Sequence, residues 1–77
     1  MVQAFVLIQV GVGMASRVGQ AVIGIRGVLV ADVVTGPYDV VVRVEAASID
    51  ALGRLVVSKI QAIEGITRTL TCPVVRL

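Results

Sequence analysis

Ile25-Arg26-Gly27-Val28 recurs 38 residues later as Ile63-Glu64-Gly65-Ile66, an interval that halves this 77-residue chain. A repeat of that length demands two units of like size, each passing through a glycine at the same junction. The residues on either side show what each unit contains. Val2 to Val10 is almost wholly apolar, as a strand covered on both faces would be. Val28 to Val34 and Val40 to Glu45 are rich in the β-branched residues that suit a pleated surface.

Between these runs the apolar spacing changes to that of a helix. Val18, Ala21, Val22 and Ile25 fall at i, i+3, i+4 and i+7, which predicts a one-sided helix over 15–25, weakened by Gly19 and Gly24 and ended by Gly27. Ile49, Leu52, Val56, Ile60 and Ile63 predict a second helix over about 49–64, with Ser48 as its N-cap, Asp50 in its first turn and Gly65 at its end. A last strand runs from Thr67 to Val75, with Thr67, Thr69 and Thr71 on one face. The order β-α-β-β-α-β in two equal halves predicts an α+β, ferredoxin-like βαββαβ sandwich: a four-stranded antiparallel sheet with both helices on one face.

The stretch Thr35-Gly36-Pro37-Tyr38-Asp39 joins the two central valine strands, and Pro37 with Gly36 predicts a tight turn there. It collects a hydroxyl, a phenol and a carboxylate in a chain poor in polar side chains. Gly11-Val12-Gly13 is read as a plain loop, because a phosphate-binding fingerprint would need a third glycine where Ser16 stands.

Seventy-seven residues make one domain, 1–77, and a chain this short buries only about 60% of its unfolded surface. Yet 57% of the residues are hydrophobic, against the roughly 45–50% of an ordinary soluble domain. The longest uncharged run, Met1 to Ser16, is interrupted by Gln3, Gln9, Gly11 and Gly13 and is shorter than the roughly 20 apolar residues of a membrane helix. Nor does it have the basic start of a signal peptide. The excess apolar surface, on the sheet face that the helices leave bare, therefore predicts dimerisation through the sheet and further assembly.

With Cys72 the only cysteine and no histidine, an internal disulfide and Cys/His metal sites are excluded, and a cytoplasmic setting is expected. The net charge of +2 comes from basic residues scattered along the chain, too little for a nucleic-acid footprint, so no direct DNA binding is expected.

The run Val34-Thr35-Gly36-Pro37-Tyr38-Asp39, the valine strand after it, Leu52-Gly53-Arg54-Leu55-Val56 and the closing Ile63-Glu64-Gly65-Ile66-Thr67-Arg68-Thr69-Leu70-Thr71 resemble the effector-binding domain of the leucine-responsive and asparagine-operon regulators, the Lrp/AsnC family. The resemblance extends over essentially the whole chain. It implies a stand-alone form without the helix-turn-helix DNA-binding domain, assembled as dimers in a ring, binding an amino acid or similar effector between dimers and acting with full-length regulators. The ligand site it implies is Thr35, Gly36, Tyr38 and Asp39 on one side, with Thr69 and Thr71 of the last strand opposite; no cofactor and no metal are implied.

The chemistry is compatible: Asp39 can accept from an ammonium group, while backbone amides near Gly36 or the threonine hydroxyls can donate to a carboxylate. Plainer readings stand beside this one. Asp39 can serve the turn alone, Tyr38 can cover a sheet edge, and threonines suit strands anyway. Two other functions also stay open, a small dimeric ferredoxin-like barrel enzyme of oxygenase or isomerase type and a purely structural oligomerisation module. The enzyme is disfavoured by the scarcity of acid, base and nucleophile combinations.

Overall fold

The computed structural model describes residues 1–76. Its elements run β1 (Val2–Val10), α1 (Ala15–Ile23), β2 (Val28–Val33), β3 (Val40–Ala46), α2 (Ile49–Arg54) leading directly into a π-helical segment (Leu55–Ile60), and β4 (Ile66–Pro73). The four strands form one antiparallel sheet in the order β2-β3-β1-β4, which is the expected ferredoxin-like arrangement.

Alternation decides the core. On β1 and β3 the even-numbered Ala4, Val6, Ile8, Val40, Val42 and Val44 are fully buried, and they meet Val18 and Val22 of α1 and Leu52, Val56 and Ile60 of the second helix. Each such aliphatic side chain contributes roughly 1.5–3 kcal/mol when fully buried.

The sequence repeat marks one recurring turn. In the first half Ile25 N–H donates to Val22 O (3.0 Å) and Val28 N–H to Ile25 O (3.1 Å); in the second, Ile63 N–H donates to Ile60 O (3.1 Å) and Ile66 N–H to Ile63 O (3.4 Å). Gly27 and Gly65 sit at φ 101° and 100°, where a side chain is strained. Both glycine carbonyls are then taken by the start or end of another strand: Glu45 N–H donates to Gly27 O (2.8 Å) and Gly11 N–H to Gly65 O (2.9 Å).

Three expectations are corrected. The second helix is not one α-helix over 49–64 but six α residues, begun by Ser48 Oγ accepting from Ala51 N–H (3.1 Å), then six π residues ending at Ile60. The buried face of α1 includes Gly19 rather than Ala21; a Cβ on Gly19 would stand 3.2 Å from Val33 of β2, so the missing side chain lets helix and strand approach. Thr67 does not share the register of Thr69 and Thr71, because β4 shifts against β1 between Gln9 and Val10.

The other sheet face is uncovered by helices. The register sets Val30, Arg43, Phe5 and Cys72 in one row across it and Asp32, Val41, Leu7 and Leu70 in the next. Phe5, Val30 and Leu70 are about two-fifths exposed. Arg43 donates to Gln3 Oε1 at 2.6 Å and holds its guanidinium 5.3 Å from the Phe5 ring centroid. At the far end of this sheet Val74 N–H donates to Gln3 O (2.8 Å), so the residue just past β4 lies beside β1 near its start.

Candidate functional site

Residues 34–39 form a six-residue loop rather than the expected tight turn, closed at its base by Val34 N–H donating to Asp39 O (2.9 Å). It hangs from the end of β1. Gln9 Nε2 donates to Pro37 O (2.9 Å), Asp39 N–H donates to Ile8 O (2.9 Å), and Asp39 Oδ2 accepts from Val10 N–H (2.9 Å). The β1–β3 ladder ends at the Ile8–Val40 pair, so the Val10 amide, which points to the β3 side, has no strand carbonyl opposite it, and the Asp39 carboxylate supplies the acceptor. Thr35, Gly36 and Pro37 remain exposed, while Tyr38 and Asp39 are half-buried.

Thr69 and Thr71 stand across the sheet from this loop. Thr69 pairs with Ile8 and Thr71 with Val6, so both occupy the helix-facing side of β4, half-buried. Thr69 Oγ1 accepts from Gln61 Nε2 at 2.8 Å. The two threonines line a groove of about 400 Å³ beside Ile49, Leu52, Val57 and Gln61, whose lining includes no residue of the 34–39 loop. Ile8 pairs with Val40 on one side and Thr69 on the other, which sets the base of the loop and Thr69 two strand spacings apart, roughly 10 Å. One chain thus brings the six residues to the same end of the sheet but not into one pocket.

Two residues of this region were not singled out from the sequence. Gln9 reads as the polar end of a strand and Gln61 as the tail of a helix; each finds its partner 28 and 8 residues away, so only the folded register connects them. Among the described residues there is no cluster of three or more metal-ligating side chains, and no helix is long and apolar enough to cross a membrane.

A four-stranded antiparallel sheet with two helices on one face, a polar loop at the sheet's end and a threonine-bearing edge strand make this a ferredoxin-like α+β domain. The model of the Lrp/AsnC ligand binding domain matches residues 3–77, and the chain belongs to that family. Among solved structures, TTHA0845 from Thermus thermophilus is 34% identical with a TM-score of 0.93, the match covering 100% of this chain and 96% of that one. Hypothetical protein PHS023 from Pyrococcus horikoshii is 30% identical with a TM-score of 0.91, covering 100% and 93%. AsnC of E. coli is 28% identical with a TM-score of 0.91, but the match covers 99% of this chain and 52% of AsnC. No curated protein matches significantly.

Proposed function

We propose that this chain is an amino-acid-binding and oligomerisation module of the Lrp/AsnC type. It acts by binding rather than catalysis, and it influences amino-acid metabolism genes through full-length relatives or by holding their effector. Its minimum unit is a dimer joined through the bare sheet face, with dimers assembled further into a ring. The effector lies between subunits, with Thr35, Gly36, Tyr38 and Asp39 of one facing Thr69 and Thr71 of another.

The observation that carries this reading is the division of the polar groups: a pinned loop at one place and a threonine groove at another, neither of which surrounds a ligand within one chain. A relative of the same fold, NMB0573 from Neisseria meningitidis, is described as a complex with L-Met; it is 18% identical, with a TM-score of 0.84 over 97% of this chain and 50% of that one. An amino acid is thus a suitable first probe.

A purely structural module is the second reading, favoured by the bond from Val10 N–H that already occupies one oxygen of Asp39. A thermal-shift screen against the twenty amino acids separates the two. A ligand at 100 times its dissociation constant stabilises the fold by about 2.7 kcal/mol, visible as a raised Tm. A flat response to all twenty would leave only the structural role.

A further inference from the structure

A concavity about twice the volume of the threonine groove lies at the opposite end of the sheet from the 34–39 loop. β3 begins at Val40 beside the loop and ends at Ala46 in the wall of this second groove, so about 20 Å of strand separates them. The groove has a volume of about 810 Å³, within the roughly 300–1,000 Å³ of small-molecule sites.

Its lining has two kinds of surface. Ile25, Ala46, Ala51 and Leu55 supply apolar walls, and Gly27 lets them close: a Cβ there would meet Leu55 Cδ2 at 3.2 Å and Glu45 O at 3.1 Å. Above this floor are Arg26, from the α1–β2 connection, and Arg54 and Lys59, from the second helix on the other wall. Three of the chain's seven basic residues therefore line one groove, against Glu45 as the single carboxylate in that lining. The π winding begins at Leu55 and carries Leu55, Ser58 and Lys59 into this wall. Departures of this kind from α geometry are frequent at functional sites.

We propose that this groove binds a small organic oxyanion: a carboxylate or phosphate head held between Arg26 on one wall and Arg54 and Lys59 on the other, with an apolar body on Leu55 and Ile25. Guanidinium groups bind either head through paired N–H donors, and the apolar floor selects against bare inorganic ions. The site is independent of the amino-acid site above, which shares none of its residues.

Calorimetry with four probes tests it: hexanoate, hexyl phosphate, hexanol and inorganic phosphate. Hexanoate or hexyl phosphate should bind saturably, whichever is preferred naming the head group, with hexanol and inorganic phosphate at least tenfold weaker. The double variant Arg54→Gln, Lys59→Gln should weaken the preferred probe by about tenfold or more, the consequence of losing hydrogen bonds to a charged group. Ser58→Trp, at an exposed position, should fill the groove and abolish binding, whereas Asp39→Asn should leave it unchanged. Absence of binding by both hexyl anions, equal binding of hexanol or inorganic phosphate, or an unaltered affinity in both groove variants would overturn the proposal.

Discussion

Asp39 has two possible uses, and its two oxygens allow them to be separated. Oδ2 accepts from Val10 N–H and ties the loop to β1. Asparagine keeps an acceptor for that amide but removes the charge that would meet an ammonium group. Asp39→Asn is therefore expected to retain the fold and to weaken amino-acid binding by about 1.5–3 kcal/mol, measured by calorimetry. Asp39→Ala also strands the Val10 amide, so a further loss of roughly 1–3 kcal/mol in unfolding free energy by urea titration is expected. Equal amino-acid affinity in Asp39→Asn and the parent protein would leave Asp39 a loop residue. The carboxylate at the end of Gly-Pro-Tyr-Asp was visible in the sequence, but its partner was not, because the Val10 amide is left over only where the β1–β3 ladder stops at Ile8 and Val40.

Among the elements, the glycines divide by conformation. Gly65 sits at φ 100°, and an added Cβ would lie 2.7 Å from Met14 Cε and 3.3 Å from Val18 Cγ2. Gly65→Ala should lower the Tm clearly, since left-handed geometry alone costs an L residue roughly 1–2 kcal/mol. Gly53 lies exposed inside α2, with nothing within 4 Å of the Cβ position. Gly53→Ala is expected to raise stability by about 0.5–1 kcal/mol, by removing unfolded-state freedom at a helical position. Thermal melts of the two variants check both signs. The order and junctions of the elements were legible because local periodicity and the repeated glycine determine them. The winding of the second helix was not: Leu52, Val56 and Ile60 are four apart and bury one stripe in either an α or a π helix, so packing makes the choice. Gly19 was misleading for a similar reason, since its role depends on how close Val33 of β2 comes.

For the whole molecule, the uncovered sheet face is the dominant fact. Phe5, Val30 and Leu70 lie exposed there around the Arg43–Gln3 pair, on a chain whose mean hydropathy is +1.01. Light scattering at micromolar concentration should report a mass at least twice the 8.0 kDa of one chain. Leu7→Glu, which plants a carboxylate on that face directly between Val41 and Leu70, should shift the population toward single chains. The 57% hydrophobic composition exceeds what one small core takes up, and the fold leaves part of the excess on this face. The proposed ligand site between subunits was not legible in composition, because its geometry would belong to a pair of chains and not to one sequence.

The bond from Val74 to Gln3 sets the residue just past β4 beside the start of β1. The described backbone from 2 to 76 is thus close to a closed circle, so it can be opened elsewhere. A circular permutant that joins residues 76 and 2 through a short flexible linker and opens between Thr35 and Gly36 interrupts no strand pairing, since those two residues lie exposed outside the ladders. It should fold with an unchanged far-ultraviolet spectrum and the parental mass. Severed from β2, its Gly36–Asp39 segment becomes an amino-terminal arm still held to β1 through Pro37 and Asp39, so the loop can be rebuilt without touching the strand ladders of the scaffold.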